Sequence, residues 1–178
     1  MVAHGFPELA APDVLLRLVE SNWFEGLRAA GVPLAVSDDL DDIVARAAAA
    51  GEFEPYDDMP TVVNRVAARH DAVIVTSNRT DIVEAFLARF GIEGVAEVLG
   101  GDKGHSKVDK IAAALRRYRA ERTTTWFVGD TAGDVVEGRA AGVATIAVTW
   151  GWHARERLEA VTPDRLVTTP DELLALLL

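Results

Sequence analysis

The chain contains no cysteine. That excludes disulfides and thiolate metal sites, and it fits a reducing compartment, with the cytoplasm as the expected location. Positive charge is scarce: 18 Lys and Arg stand against 28 Asp and Glu, a net charge of −10. Nucleic-acid binding depends on clustered cations, so a phosphate-backbone binder is not expected. The one basic run, Arg116-Arg117-Tyr118-Arg119, falls on a predicted helix and reads as its solvated face. No apolar run reaches the roughly 20 residues needed to span a bilayer, so no membrane partner is expected. Met1 to Glu8 has no basic region followed by an apolar core, so it does not read as a secretory leader. The histidines, His4, His70, His105 and His153, show no metal-ligand spacing, and all but His153 are expected at the surface. His153 and Trp152 follow the last main strand, either as an ordinary loop or as the mouth of a site. Nothing in the sequence specifies an oligomeric state.

What is present is enough for one domain with a real core: 178 residues, 49 % of them hydrophobic. Helical spacing of Val14, Leu15, Leu18, Val19, Phe24 and Leu27 predicts a helix over 12–30, with Pro12 at its start and Gly31 at its end. Trp23 and Phe24 are adjacent, so they must face different ways. A second helix is predicted over 37–50. Ser37 is its N-cap, and Asp38, Asp39, Asp41 and Asp42 load the positive end of its dipole. The loop Glu52 to Asp58 is the expected boundary between a helical part, 1–54, and the rest, 55–178.

Beyond it the pattern alternates. Helices are predicted at 60–69, 80–90, 107–120, 132–141 and 170–177. Strands are predicted at 72–76, 95–99, 125–129, 144–148 and 165–167. Ser106-Lys107-Val108-Asp109 reads as a capping box. Strands alternating with helices imply parallel β-α-β units in a Rossmann-like, three-layer α/β fold.

The most informative stretch is Trp126-Phe127-Val128-Gly129-Asp130-Thr131-Ala132-Gly133-Asp134. A buried strand ends at Gly129-Asp130, and a second aspartate follows four residues later. Two carboxylates at the carboxyl end of a strand can converge on a hard cation such as Mg²⁺. The competing reading is a turn at Asp130 and a helix-dipole role for Asp134. Thr76-Ser77-Asn78 ends an earlier strand, where hydroxyls and backbone N–H groups suit an anion, or simply cap the next helix. Lys107 opens its helix, where a cation is mildly unfavourable, so neutralising a phosphate or carboxylates would explain it. Otherwise it is a surface lysine like its neighbours Lys103 and Lys110.

In this order the motifs resemble those of the haloacid-dehalogenase-like hydrolase superfamily, in its phosphoglycolate-phosphatase-like branch. Val73-Ile74-Val75-Thr76 resembles the second motif, Lys107 the third, and Val128 to Asp134 with Ala140-Ala141-Gly142-Val143 the fourth. Ala147 to His153 and Pro163-Asp164 also look like that branch. Residues 1–54, with Asn22-Trp23-Phe24-Glu25-Gly26-Leu27, resemble part of the helical cap. The resemblance implies a Mg²⁺-dependent phosphomonoesterase acting on a small phosphorylated metabolite. Asp130 and Asp134 would serve the metal. Thr76, Ser77, Asn78 and Lys107 would bind the phosphate, Thr76 and Lys107 with catalytic roles.

One motif is missing. The family's first strand ends in Asp-x-Asp and carries the nucleophile and the general acid/base, and no such strand precedes the cap-like region. The 178-residue chain is therefore expected to be inactive and to have lost a strand, through a start assigned too far downstream. Two alternatives stand beside this: a non-catalytic phosphate- or protein-binding module, and a capless phosphatase using Asp39 and Asp41 after a strand at Pro33–Ser37.

Overall fold

In a computed structural model the described residues are 1–18, 23–33, 35–36, 39–40, 43, 46–47, 50–51 and 53–178. The N-terminal part is helical. After two short 3-10 turns come α1 (Pro12–Leu18) and α2 (Trp23–Ala29), where one helix is predicted. Val32 N–H reaches back to Leu27 O, and Gly31 at φ 75° makes that reversal, as its position after the periodic run implies. Leu9, Leu18, Leu27 and Val32 form a cluster of their own, with Trp23 against it. Phe24 points the other way and stacks on His105, ring centroids 4.0 Å apart. Most of the predicted helix 37–50 and its cap, Ser37, Asp38, Asp41 and Asp42, lies outside the described residues, as does Asn22.

The remainder runs α3 (Met59–Ala67), β1 (Val73–Val75), α4 (Thr80–Arg89), β2 (Glu97–Leu99), α5 (Lys107–Tyr118), β3 (Trp126–Gly129), α6 (Ala132–Ala140), β4 (Ala144–Val148), α7 (Arg155–Ala160), β5 (Arg165–Val167) and α8 (Pro170–Leu177). Every strand pair is parallel, as the helix-strand alternation predicts. β4 sits between two layers because its side chains alternate. Ile146 and Val148 pack with Val62 of α3 and Leu173 and Leu174 of α8. Ala147 packs on the other face with Val135 of α6 and Leu158 of α7.

Among the described residues the strands form two sheets, β1-β2 and β3-β4-β5. β1 does not pair with β3, although α5 covers both: Ile111 and Leu115 share one cluster with Val75 of β1 and Phe127 of β3. The strands at the break are under-buried for a parallel sheet. All three residues of β1 are half-buried, and none of β3 is fully buried, whereas four of the five in β4 are. Among the described residues, β1 and β3 are thus not hydrogen-bonded to each other and lie under one helix.

Among the described residues of 33–37 there is no strand of the kind the capless alternative requires. Pro33 is in coil, and Ala35, Val36, Asp39 and Leu40 are helical. Val36 N–H bonds back to Pro33 O, closing a turn where an extended strand would need pairing. Asp39 is exposed beside His4, with their side chains 3.7 Å apart, and Asp41 lies outside the described residues.

Candidate active site

β3 delivers Asp130 at its carboxyl end, and Thr131 turns the chain into α6. Thr131 Oγ1 accepts the Asp134 N–H at 3.1 Å, and Asp134 Oδ2 accepts the Thr131 hydroxyl at 2.7 Å and its N–H at 3.2 Å. This reciprocal capping box is the helix-start reading of Asp134. It coexists with a second engagement: Lys107 Nζ donates to Asp134 Oδ1 at 2.5 Å. Both partners are largely buried, at 15 % and 9 % side-chain exposure. The lysine is therefore not a surface residue, and the carboxylate beside it explains a cation in the first turn of α5. Ser106 caps that helix by accepting the Asp109 N–H at 3.1 Å.

Asp130 is held from the loop after β4. Trp152 N–H donates to its Oδ2 at 2.8 Å, and His153 N–H to its carbonyl at 3.2 Å. Burial pushes its carboxyl above the ordinary range and nearby Asp134 adds to this, against the Trp152 bond. A half-buried carboxylate near a second one is a donor set that a cation would relieve. Gly151 permits the approach, since a Cβ there would run into Asp130. Among the described residues no group of three or more acidic or histidine side chains converges, and a site of one or two carboxylates leaves a hard cation's other positions to water and phosphate oxygens.

His153 is buried, and its Nδ1 accepts the Ala132 N–H at 2.9 Å, capping α6 from a distant loop. A cleft of about 520 Å³ opens beside Asp130, walled by Tyr56, Val128, Val148, Trp150 and Trp152.

Thr76 continues β1, its N–H bonded to Leu99 O at 3.1 Å. Its Oγ1 accepts the Asn78 N–H at 3.1 Å, so that amide is already engaged within the turn. None of these residues caps α4. Asp102 does so from after β2, accepting the Thr80 N–H and hydroxyl, both at 2.7 Å. A second cleft, about 540 Å³, lies between this turn and Phe24, bordered by Arg79, Lys103 and His105.

Two charged residues here escape sequence reasoning. Lys110, expected at the surface, is 4 % exposed, with Nζ bonded to Thr76 O and Gly100 O. Glu137 lies 3.8 Å from Lys107 Nζ. The available signal is spacing: Lys107 and Lys110 are one turn apart on α5, as are Asp134 and Glu137 on α6, so two charged ridges meet.

The model of the haloacid dehalogenase-like hydrolase family matches residues 6–148. A phosphoglycolate phosphatase from Synechococcus elongatus is 35 % identical over 102 residues, 57 % of this chain and 48 % of that protein. One from Vibrio vulnificus is 28 % identical over 127 residues, 67 % of this chain and 56 % of that protein. The chain thus spans about half the length of these relatives. Among solved structures, a haloacid dehalogenase-like chain from Bacteroides fragilis superposes with TM-score 0.72 at 18 % identity, covering 97 % of this chain and 86 % of that one. The haloacid dehalogenase-like protein SP0104 from Streptococcus pneumoniae does so with TM-score 0.63 at 22 % identity, over 69 % and 60 %. The chain belongs to the haloacid dehalogenase-like hydrolases, an enzyme family, in the branch whose named relatives are phosphoglycolate phosphatases.

Proposed function

We propose that this chain belongs to a Mg²⁺-dependent phosphomonoesterase acting on a small phosphorylated metabolite. The observation that carries the reading is the 2.5 Å contact of Lys107 with Asp134, which joins two motifs from different helices beside Asp130. In this reading residues 1–54 are part of a cap and 55–178 the catalytic core.

Asp130 would ligate the cation, which would offset the charge of the bound phosphoryl group. Asp134, with one oxygen in the helix cap and the other on Lys107, orients that lysine toward the same group. The Thr76 hydroxyl and the Ser77 backbone donate to phosphoryl oxygens, and Asn78 holds the turn. These groups stabilise charge, which is the main protein contribution to phosphoryl transfer. The missing component is an in-line nucleophile. An aspartate on a strand seated between β1 and β3 would attack phosphorus and expel the alcohol as an aspartyl-phosphate forms, and water would then release phosphate. The cleft at Phe24, Arg79 and His105 suits the remainder of the substrate.

The test uses an N-terminally extended protein bearing an Asp-x-Asp strand, with Mg²⁺ and p-nitrophenyl phosphate. Asp130→Asn should lower kcat by about 10²–10³, the usual cost of removing a charge-stabilising group. Equal rates for the extended parent and this variant would refute the role of Asp130. A non-catalytic binding module would instead show phosphate binding and no turnover in the extended protein.

A further inference from the structure

Lys110 has no task in the chemistry just described, yet its ammonium is the most deeply buried charge near the site. Nζ donates to Thr76 O at 2.6 Å and to Gly100 O at 3.2 Å, with the residue 4 % exposed. Taking an ammonium out of water is costly, and two neutral carbonyls are modest compensation. An aliphatic side chain would fill the same space at lower cost, so the charge itself needs a reason.

Its location supplies one. Thr76 closes β1 and Gly100 follows β2, so a single side chain from α5 ties both loops. The Gly101 N–H completes the tie by donating to Asn78 O at 2.8 Å. Without Lys110, two carbonyl dipoles would present their negative ends beside the proposed anion turn. Lys107 lies one turn earlier on the same helix and repels Lys110, while Glu137 of α6 and Asp102 after β2 attract it. Burial first, and then Lys107, bring the Lys110 ammonium down to about 8.

We propose that Lys110 is a positioning residue for anion recognition. Its ammonium draws the carbonyls of Thr76 and Gly100 away from the anion, so that the Thr76 hydroxyl and the Ser77 backbone face it, and it adds a second positive charge behind that of Lys107. The inference rests on the phosphoryl-site reading of Thr76 and Lys107. A bound dianion favours charged Lys110, so affinity should fall as that group loses its proton.

The probe is sulfate, a dianion throughout the working range, titrated calorimetrically into the 178-residue chain. For a group titrating at about 8, affinity should drop about tenfold from pH 7 to pH 9. Lys110→Met should bind about tenfold more weakly at pH 7 and show no such drop, and Lys110→Arg should restore binding and remove the drop as well. A flat wild-type profile, or a folded Lys110→Met with wild-type affinity, overturns the proposal. If Lys110→Met does not fold, the wild-type profile and Lys110→Arg decide. Lys107→Ala separates the two levels. If it loses sulfate while Lys110→Met does not, the proposal alone falls. If it binds sulfate as wild type does, the site reading falls and takes the proposal with it.

Discussion

Gly129 and Asp134 are packed so closely that a Cβ on the glycine would collide with the aspartate side chain, 2.6 Å from its Cγ. The last residue of β3 thus sets how near the α6 carboxylate comes to the strand end. Gly129→Ala should push Asp134 off Lys107 and strain the α6 cap, costing about 1–3 kcal/mol, the usual range for overpacking. Urea unfolding measures the loss, and sulfate affinity should fall in parallel. Unchanged stability and unchanged sulfate binding would show that the contact relaxes at no cost.

Lys107→Met should destabilise the chain by about 3 kcal/mol at pH 7, because Asp134 and Glu137 would remain largely buried without their shared cation. Adding Asp134→Asn keeps an acceptor for Thr131 and removes one orphaned charge, so the double variant should recover much of the loss. A double-mutant cycle in urea reads this coupling, and strictly additive effects would argue against it.

Asp102 caps α4 from across the chain. Burial pushes its carboxyl up, but the Thr80 N–H and hydroxyl outweigh this and hold it down to about 2. The ionised form is therefore favoured by folding. Its contribution is complete above the ordinary carboxylate value and is lost as pH falls through about 2. Asp102→Ala should cost about 0.5–1 kcal/mol at pH 5 to 8, low for a helix cap because the side chain is 39 % exposed. That difference should shrink between pH 4 and pH 2 in acid-unfolding curves. A difference that persists at pH 2 would mean the cap does not depend on charge.

In the proposed reading, the 178-residue chain should release no phosphate above background with Mg²⁺, while a form extended by an apolar strand ending in Asp-x-Asp should do so. Amide exchange in Val73–Val75 and Trp126–Gly129 should slow in the extended form as the edges pair. Robust turnover by the short form would overturn the missing-nucleophile argument, and unchanged exchange would place the added strand elsewhere.

Much of the core was legible because local rules decide it. Parallel β-α-β order follows from alternation. The end at Gly31 follows from glycine's access to positive φ, observed at 75°. Trp23 and Phe24 diverge because adjacent helical residues must. The expected strand at Pro33–Ser37 failed because Val36 N–H bonds back to Pro33 O in a turn and Ala35 and Val36 are helical.

The sequence by itself placed the candidate residues Thr76, Lys107, Asp130 and Asp134 at element ends, where turn and cap rules apply. It could not determine that Asp134 serves the helix cap and Lys107 at once, since the two engagements come from different helices. Nor could it bury Lys110 or draw His153 onto the start of α6. Burial and long-range hydrogen bonds depend on which elements meet in space, and that is decided only when α5 packs across the break between β1 and β3.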